Sequence, residues 1–312
     1  MERDSNIELF RCFCMFAVVF GHVVVNNDVA SMRGYLWHIP GFLLITGYFG
    51  ASFSLAKIIK LLGVVYGCYW LTEPLRHSCG FSISLLLPHG GWFVPFYIVL
   101  LILSPIFNAA LCNDSLGGRR LIYAVIVLLF VAWIPTLSSN VHMGMLRIPG
   151  FQGNGILLMV ATYFIGRQIR HSDFAHKGRF LMWFLGFIIC VAVLQCEKLS
   201  FLSSNGYVSP FVLFTATLGF VTFLHLPTSM GIFGRVINFI SPSMFGVYIL
   251  HECCLKEYQY FNEGSAFVHA IIVFSVCVGI DMIRRVMVHL LGLCIAKARA
   301  HKSNCQESVV SS

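Results

Sequence analysis

Two side chains that could do chemistry, Arg11 and His22, lie inside the first apolar segment of a strongly apolar chain. They are eleven residues apart. On a helix that turns about 100° per residue they return to within about 20° of the same face, separated by roughly 16 Å along the axis. One helix face therefore presents a guanidinium near one membrane surface and an imidazole deeper in. Because polar groups at that depth are costly to insert, they usually mark function.

The imidazole of His22 is the candidate base. A buried neutral imidazole can accept a proton from a hydroxyl, or carry a transferred group as a relay. The alternative is a helix histidine that bonds a neighbouring carbonyl. For Arg11 the alternative is a side chain that extends to lipid headgroups. Glu8, three residues before Arg11, is on the same face and is predicted either to orient Arg11 or to form a plain ion pair with it.

The composition places these residues in a membrane protein. Of 312 residues, 58% are hydrophobic and 11% are charged, and the mean hydropathy is +0.81. A soluble domain has about a quarter of its residues charged. The polar residues that follow the first apolar run offer no cleavage pattern for a signal peptide, so we expect a retained first helix. The chain is predicted to be an all-α, polytopic membrane protein.

Ten apolar segments are long enough to be candidate spans. They cover about residues 7–25, 37–55, 61–78, 91–111, 121–137, 154–170, 180–195, 208–225, 243–262 and 266–284. With both termini in the cytoplasm, sixteen of the 21 Lys and Arg fall at inner ends, as the positive-inside rule requires. Membrane orientation thus explains the net charge of +8, and nucleic-acid binding is not expected.

One domain accounts for nearly all of the chain. Residues 1–300 are predicted to form the membrane domain, and residues 301–312 a short cytoplasmic tail that is expected to be disordered. The segment from about 284 to 302 has the pattern of a basic amphipathic helix on the inner membrane surface. The twelve Cys show neither a CxxC motif nor a Cys/His metal spacing, so no metal site is expected.

Five stretches, in order along the chain, carry a resemblance to a known family. They are IELFRCFCMFAVVFGH, WHIPGFLLITGYF, GWFVPFYIVLLILSPIFN, ILLMVATYFIG and SPSMFGVYILH. Together they resemble the acyltransferase-3 family of integral membrane acyltransferases. The resemblance implies ten helices and transfer of an acyl group, usually acetyl, from cytoplasmic acyl-CoA to a carbohydrate hydroxyl. It also implies that Arg11 and His22 correspond to the family's catalytic pair, with acetyl-CoA as co-substrate and no tightly bound cofactor.

The donor-binding candidates are basic residues at the inner face. By the same resemblance, Lys57 and Lys60 correspond to a basic pair after the second helix, where arginines are more usual. A lysine offers a point charge where an arginine offers a bidentate fork, and this departure weakens the assignment. Arg119 and Arg120 are further candidates for contact with the nucleotide end of CoA. The alternative for each is an ordinary positive-inside residue.

Four more residues are candidates for orienting the base or for contacting the acceptor. His251 and Glu252 fall near the middle of the ninth predicted span, where hydrogen bonding between helices is an equal interpretation for the histidine. Glu252 should be paired or protonated there, and it could orient His22. His38 and Trp92 flank the second and fourth predicted spans as acceptor candidates; the alternatives are a helix-start residue and an interfacial aromatic.

The prediction is an acetyl-CoA-dependent O-acetyltransferase of the cytoplasmic membrane. Its acceptor would be a surface or lipid-linked glycan, and a separate glycan-assembly protein is a candidate partner. The rival from another class is a secondary transporter or flippase for a glycan or lipid-linked sugar, whose ionisable residues would line a pathway. Such transporters often contain two matching halves, and no internal repeat is visible here. A non-catalytic scaffold in glycan export is a third possibility.

Overall fold

The computed structural model describes most of the chain. The described residues are 4–26, 34–72, 93–112, 120, 123–125, 127, 156–172, 179–196, 198–199, 202, 209–226, 231–258 and 265–310. Every regular element within these residues is a helix, which confirms the all-α fold class.

The main helices are labelled here in chain order. They are α1 (Ser5–Asn26), α2 (His38–Phe49), α3 (Leu55–Thr72), α4 (Phe93–Cys112), α5 (Ile156–His171), α6 (Phe180–Gln195), α7 (Pro210–Leu224), α8 (Gly231–Ile240), α9 (Met244–Tyr258) and α10 (Ala266–Val310). A 3-10 turn, Ser241–Ser243, joins α8 to α9. Pro242 in this turn has no N–H to donate, which is consistent with the break in the helix there.

Helix α1 is the centre of the bundle. It packs against α2, α7, α8, α9 and α10. Its start is capped by Asp4, whose carboxylate accepts a hydrogen bond of 3.0 Å from the Asn6 N–H. Apolar side chains cover two of its faces: Phe10 and Cys14 belong to one core cluster, and Met15 and Val18 to another. A helix that is apolar on several faces is buried among its neighbours, and this fixes the direction of any polar side chain on α1.

Helices α2 and α5 approach each other closely because glycines face each other at their crossing. A Cβ atom on Gly47 would lie 2.9 Å from the Tyr163 Cα, and one on Gly166 would lie 3.0 Å from the Gly47 Cα. Small residues allow such close backbone packing within membranes. The crossing holds α2 in place, and α2 supplies a wall of the site described below.

The Gly47→Ala substitution is expected to destabilise the protein, because the methyl group would meet backbone atoms that cannot rotate away. Overpacking of this kind costs about 1–3 kcal/mol. A lowered midpoint of thermal unfolding in detergent would show it. The matched control is Gly279→Ala, where a Cβ would meet nothing within 4 Å. Equal midpoints for the two variants would contradict the close crossing.

Five described segments are long and apolar enough to cross a membrane: Ser5–Val24, Leu55–Thr72, Phe93–Leu111, Gly231–Leu255 and Ala266–Cys294. Large apolar side chains are exposed on them, among them Trp70 at 71% and Ile106 at 64%. In water such surfaces would be unfavourable, whereas lipid tails accept them. The structure therefore has the surface of a membrane protein. Ten spans and two cytoplasmic termini stay predictions.

Several predicted spans differ in length from the helices observed. The second, 37–55, contains only the 12 residues of α2, about 18 Å of helix, too short to cross the bilayer alone. Its helix ends at Gly50, whose φ of 74° is left-handed and favours glycine. The ninth, 243–262, corresponds to α9, which α8 precedes across the 3-10 turn. The fifth, 121–137, lies mostly outside the described residues.

The last helix does not end where the predicted tenth span ends. Helix α10 runs without interruption from Ala266 to Val310, 45 residues in all, or about 68 Å at the helical rise. It is therefore longer than a bilayer core, which is about 30 Å thick. The predicted boundary near residue 300 does not coincide with a helix end, and the segment predicted as a tail is helical up to Val310.

Candidate active site

The guanidinium of Arg11 is held by a carboxylate on the same helix. Arg11 Nη1 lies 2.6 Å from Glu8 Oε2, one turn away on α1. The Arg11 side chain is 27% exposed and that of Glu8 7%. Because the pair is largely shielded from water, it fixes the guanidinium more firmly than a surface ion pair would. Arg11 can still offer its remaining N–H groups to a ligand.

Arg11 lines a cavity of about 380 Å³ between α1, α2, α3, α4 and the start of α9. Two further cations, Lys57 and Lys60 on α3, also line it. Most other wall positions are apolar, and they include Met15, Ile39, Phe42, Leu61 and Val64. The structure therefore brings three of the predicted site residues, from helices distant in the chain, around one space. The end of the bundle that carries these three cations is called the basic end below.

A second cavity of about 350 Å³ adjoins the first at the basic end. Both are lined by Arg11, Thr46 and Lys57. The second also has Gly50 and Ser52 in its wall. The Lys57 Nζ donates to Ser52 Oγ at 2.5 Å and to the Ser52 carbonyl at 3.3 Å. Together the two cavities combine three lining cations with mostly apolar walls, which suits a ligand with an anionic head and an apolar arm.

Three aromatic rings in contact with one another line part of the cavity, and this part is called the aromatic wall below. Phe93 stacks on Tyr97 with ring centroids 5.5 Å apart, and it meets Tyr248 of α9 at 5.6 Å. Tyr97 also forms a side-chain hydrogen bond with Thr46. The ring of Tyr248 lies in turn 5.7 Å from that of His251. Tyr248 therefore lines the cavity and also contacts the histidine next to it.

Histidines from three helices lie together beyond this wall. The rings of His22 (α1) and His251 (α9) meet edge to face, with centroids 4.7 Å apart and planes at 70°. Glu252 completes a group whose ligand-type atoms all lie within 4.8 Å of one another. His38 (α2) lies near both rings and is buried at 2% exposure. The name histidine cluster is used below for His22, His38, His251 and Glu252.

The two buried histidines are each oriented by the backbone. His38 Nδ1 lies 2.5 Å from the Tyr35 carbonyl oxygen, and His251 Nδ1 lies 2.6 Å from that of Tyr248. The structure thus brings His22 together with two residues that were only candidates for orientation or acceptor contact. Among the described residues, His22, His251 and Glu252 are the group whose ligand-type atoms could converge on a metal ion.

Some predicted site residues either line neither cavity or lie outside the described residues. Arg120 is exposed and is not a lining residue of either cavity. Arg119 and Trp92 lie outside the described residues. His22 retains exposed surface, and it too is not a lining residue of the described cavities. Arg11 and His22 therefore share α1 but not one cavity wall.

Sequence reasoning missed four polar side chains of the wall of the first cavity, Thr46, Tyr97, Ser241 and Tyr248. A signal existed for one of them. Tyr248 precedes His251 by three residues and so shares its helix face. Thr46 and Tyr97 gave no such signal, because a single hydroxyl within an apolar helix is common.

Comparison with known proteins identifies the family of this chain. The model of the acyltransferase-3 family, described as an acyltransferase domain, matches residues 4–283, nearly the whole chain. That range holds both cavities and the histidine cluster. No curated protein and no solved structure matches the chain. The chain therefore belongs to the acyltransferase-3 family of membrane acyltransferases.

Proposed function

We propose that this membrane acyltransferase moves an acetyl group from acetyl-CoA to a hydroxyl of a surface or lipid-linked glycan. The observation that carries the proposal is the cavity, which has three lining cations, mostly apolar walls, and an aromatic wall whose Tyr248 ring contacts His251. Acyl-CoA has a matching shape, since its phosphates are anionic and its pantetheine arm is long and thin. A transporter for a neutral sugar would have no need of three cations at one end of an apolar cleft.

The donor enters from the basic end in this proposal. Lys57, Lys60 and Arg11 meet the phosphates, and charge-assisted hydrogen bonds of this kind are stronger than neutral ones. The arm then lies between α1, α2 and α3, along Met15, Phe42 and Val64. Because Tyr248 lines the cavity and His22 does not, the ring of Tyr248 turns aside in this proposal so that the thioester meets His22.

His22 performs the chemistry as a general base. It takes the proton of the acceptor hydroxyl while the oxygen attacks the thioester carbonyl. The carbon–sulfur bond then breaks, the thiolate of CoA leaves, and the proton passes to it from the imidazolium. The products are an ester and CoA thiol, so all atoms are balanced. A relay, in which the imidazole first accepts the acetyl group and passes it to the hydroxyl, uses the same residue and remains the alternative route.

In this proposal the protein acts in the cytoplasmic membrane. With the basic end at the cytoplasmic face, the positive-inside bias and the location of acetyl-CoA agree. The acceptor hydroxyl would then reach the histidine cluster from the other face. A separate glycan-assembly protein is a candidate partner that presents this acceptor.

One experiment separates this proposal from its rival. Purified protein in nanodiscs is incubated with acetyl-CoA carrying a labelled acetyl group, with and without surface glycan from the source cells, and free CoA thiol and labelled glycan are measured. The proposal expects thiol release that the glycan increases, and label on the glycan. A transporter or scaffold would neither bind acetyl-CoA nor release thiol, and that result would overturn the proposal.

The double substitution Lys57→Ala/Lys60→Ala is expected to raise the KM for acetyl-CoA about 5- to 30-fold and to leave kcat nearly unchanged. Each exposed lysine contributes roughly 0.5–1 kcal/mol to holding a phosphate in water. Initial rates over a range of acetyl-CoA concentrations give both constants. The control is Lys297→Ala, at an exposed position of α10. A KM equal to that of the wild type would remove both lysines from the donor site.

A further inference from the structure

The tautomer of His251 can be assigned from its surroundings. Its Nδ1 lies 2.6 Å from the backbone carbonyl oxygen of Tyr248. A carbonyl oxygen can only accept a hydrogen bond, so in the neutral ring Nδ1 carries the hydrogen and donates it. The other ring nitrogen, Nε2, is then left with a lone pair and can only accept.

This Nε2 atom is buried and has no hydrogen-bond partner among the described residues. His251 as a whole is 1% exposed. Buried acceptors are nearly always satisfied, so an orphan atom of this kind indicates a donor that a small movement would supply. The ring of His22 lies edge to face with that of His251 at a centroid distance of 4.7 Å. A neutral imidazole has one N–H, and His22 therefore has the donor that His251 lacks.

We propose that His251 is the positioning residue for His22: its Nε2 accepts the His22 N–H and thereby leaves the second nitrogen of His22 free for the acceptor hydroxyl. The proposal rests on the proposed function, in which His22 is the base. Without such a partner the imidazole of His22 could exchange between tautomers and ring orientations, and only some of these would present a lone pair to the hydroxyl. The arrangement performs with a neutral imidazole what a carboxylate performs in hydrolase triads.

Glu252 adds the charge that a neutral partner lacks. It lies in the same group of atoms as the two rings, all within 4.8 Å, and it interacts electrostatically with His22. When His22 takes the proton of the hydroxyl, it becomes a cation next to this carboxylate. The proton then leaves with the CoA thiol, and His22 returns to the tautomer that His251 holds.

Two substitutions at one position separate positioning from packing. His251→Phe keeps the volume of the ring and removes the acceptor, whereas His251→Gln loses the ring and keeps an amide oxygen near the place of Nε2. The proposal expects kcat to fall roughly 100-fold in the phenylalanine variant, with an unchanged KM for acetyl-CoA, and to recover by roughly 10-fold in the glutamine variant. A packing role predicts the opposite order, and that order would overturn the proposal.

The control is His225→Phe. His225 also bonds a backbone carbonyl through Nδ1, that of Val221 at 2.9 Å, but it lies at the end of α7 and is not part of the histidine cluster. Its substitution is expected to leave kcat unchanged. An equal loss in the His225 and His251 variants would overturn the proposal, since both would then reflect general destabilisation.

A measurement on the unmodified protein is independent of activity, and a variant serves only to assign its signals. Nitrogen-15 NMR of histidine-labelled protein distinguishes the two tautomers, and the signals of His22 are those missing in His22→Gln. A single tautomer supports the pairing, whereas a mixture overturns it. Stoichiometric zinc in the purified protein would also overturn it, because the rings would then be metal ligands. Single-tautomer signals without acyl transfer would instead overturn the proposed function alone.

Discussion

The His22→Ala protein is expected to bind acetyl-CoA as tightly as the wild type and to transfer acetyl about 10²- to 10⁴-fold more slowly, the range that a positioned general base contributes. Acetyl-CoA binding and the rate of acetyl transfer are expected to respond differently because of the position of the His22 ring. His22 contacts His251 beyond the aromatic wall and is not a lining residue of the described cavities. In the proposed function the donor is held by Arg11, Lys57 and Lys60, and Arg11 lies about 16 Å from His22 along α1.

Binding and turnover are measured on the same preparation. Calorimetry with a non-hydrolysable acetyl-CoA analogue gives the affinity, and the labelled-acetyl assay gives the rate. The matched control is His289→Ala, a histidine at an exposed position of α10, which is expected to be fully active. A His22→Ala protein with wild-type turnover would end the assignment of His22 as base or relay.

The part of this site that sequence could predict is the part that lies on one helix. Arg11 and His22 share a face of α1 because eleven residues make slightly more than three helical turns. The pairing of Glu8 with Arg11 follows from the same periodicity and is observed at 2.6 Å. Helix α6 spans residues 180–195, as its uninterrupted apolar run predicted. Local spacing was sufficient in each of these cases.

Contacts between helices could not be predicted in the same way. The meeting of His22 with His251 depends on how α1 packs against α9, and no local pattern encodes that register. The short length of α2 had no clear signal either. Residues 37–55 are apolar nearly throughout, yet the helix stops at Gly50, whose left-handed backbone turns the chain toward α3. Hydropathy reports burial in an apolar medium and not where a helix ends.

The basic residues illustrate the same division between local patterns and contacts between helices. Basic residues at inner ends are required by topology, so sequence could not rank Lys57 and Lys60 above Arg120 without the family resemblance. The fold distinguishes these residues. Lys57 and Lys60, near the start of α3, line the cavity together with Arg11, whereas Arg120 does not. Thr46 and Tyr97 belong to the site because α2 and α4 border the same cavity, which no local pattern encodes.

The Arg11→Gln substitution is expected to weaken binding of acetyl-CoA about 10- to 150-fold, since hydrogen bonds to a charged group contribute about 1.5–3 kcal/mol. Arg11 lines both cavities, so its guanidinium is placed to contact the donor where the cationic mouth meets the apolar interior. The affinity of the Arg11→Lys variant for acetyl-CoA is expected to lie between those of the wild type and Arg11→Gln, because an ammonium keeps the charge and loses the bidentate fork. The exposed Arg235→Gln, on α8, is the control.

Loss of Arg11 also leaves the buried carboxylate of Glu8 without its partner, and that would lower stability whatever Arg11 binds. A double-mutant cycle with Glu8→Gln separates the two effects. In Glu8→Gln/Arg11→Gln no charge is left unpaired, so the thermal midpoint is expected to recover while the affinity for acetyl-CoA stays low. If affinity recovers together with the midpoint, Arg11 serves the fold alone. If affinity stays low in a stable protein, the guanidinium is a donor ligand.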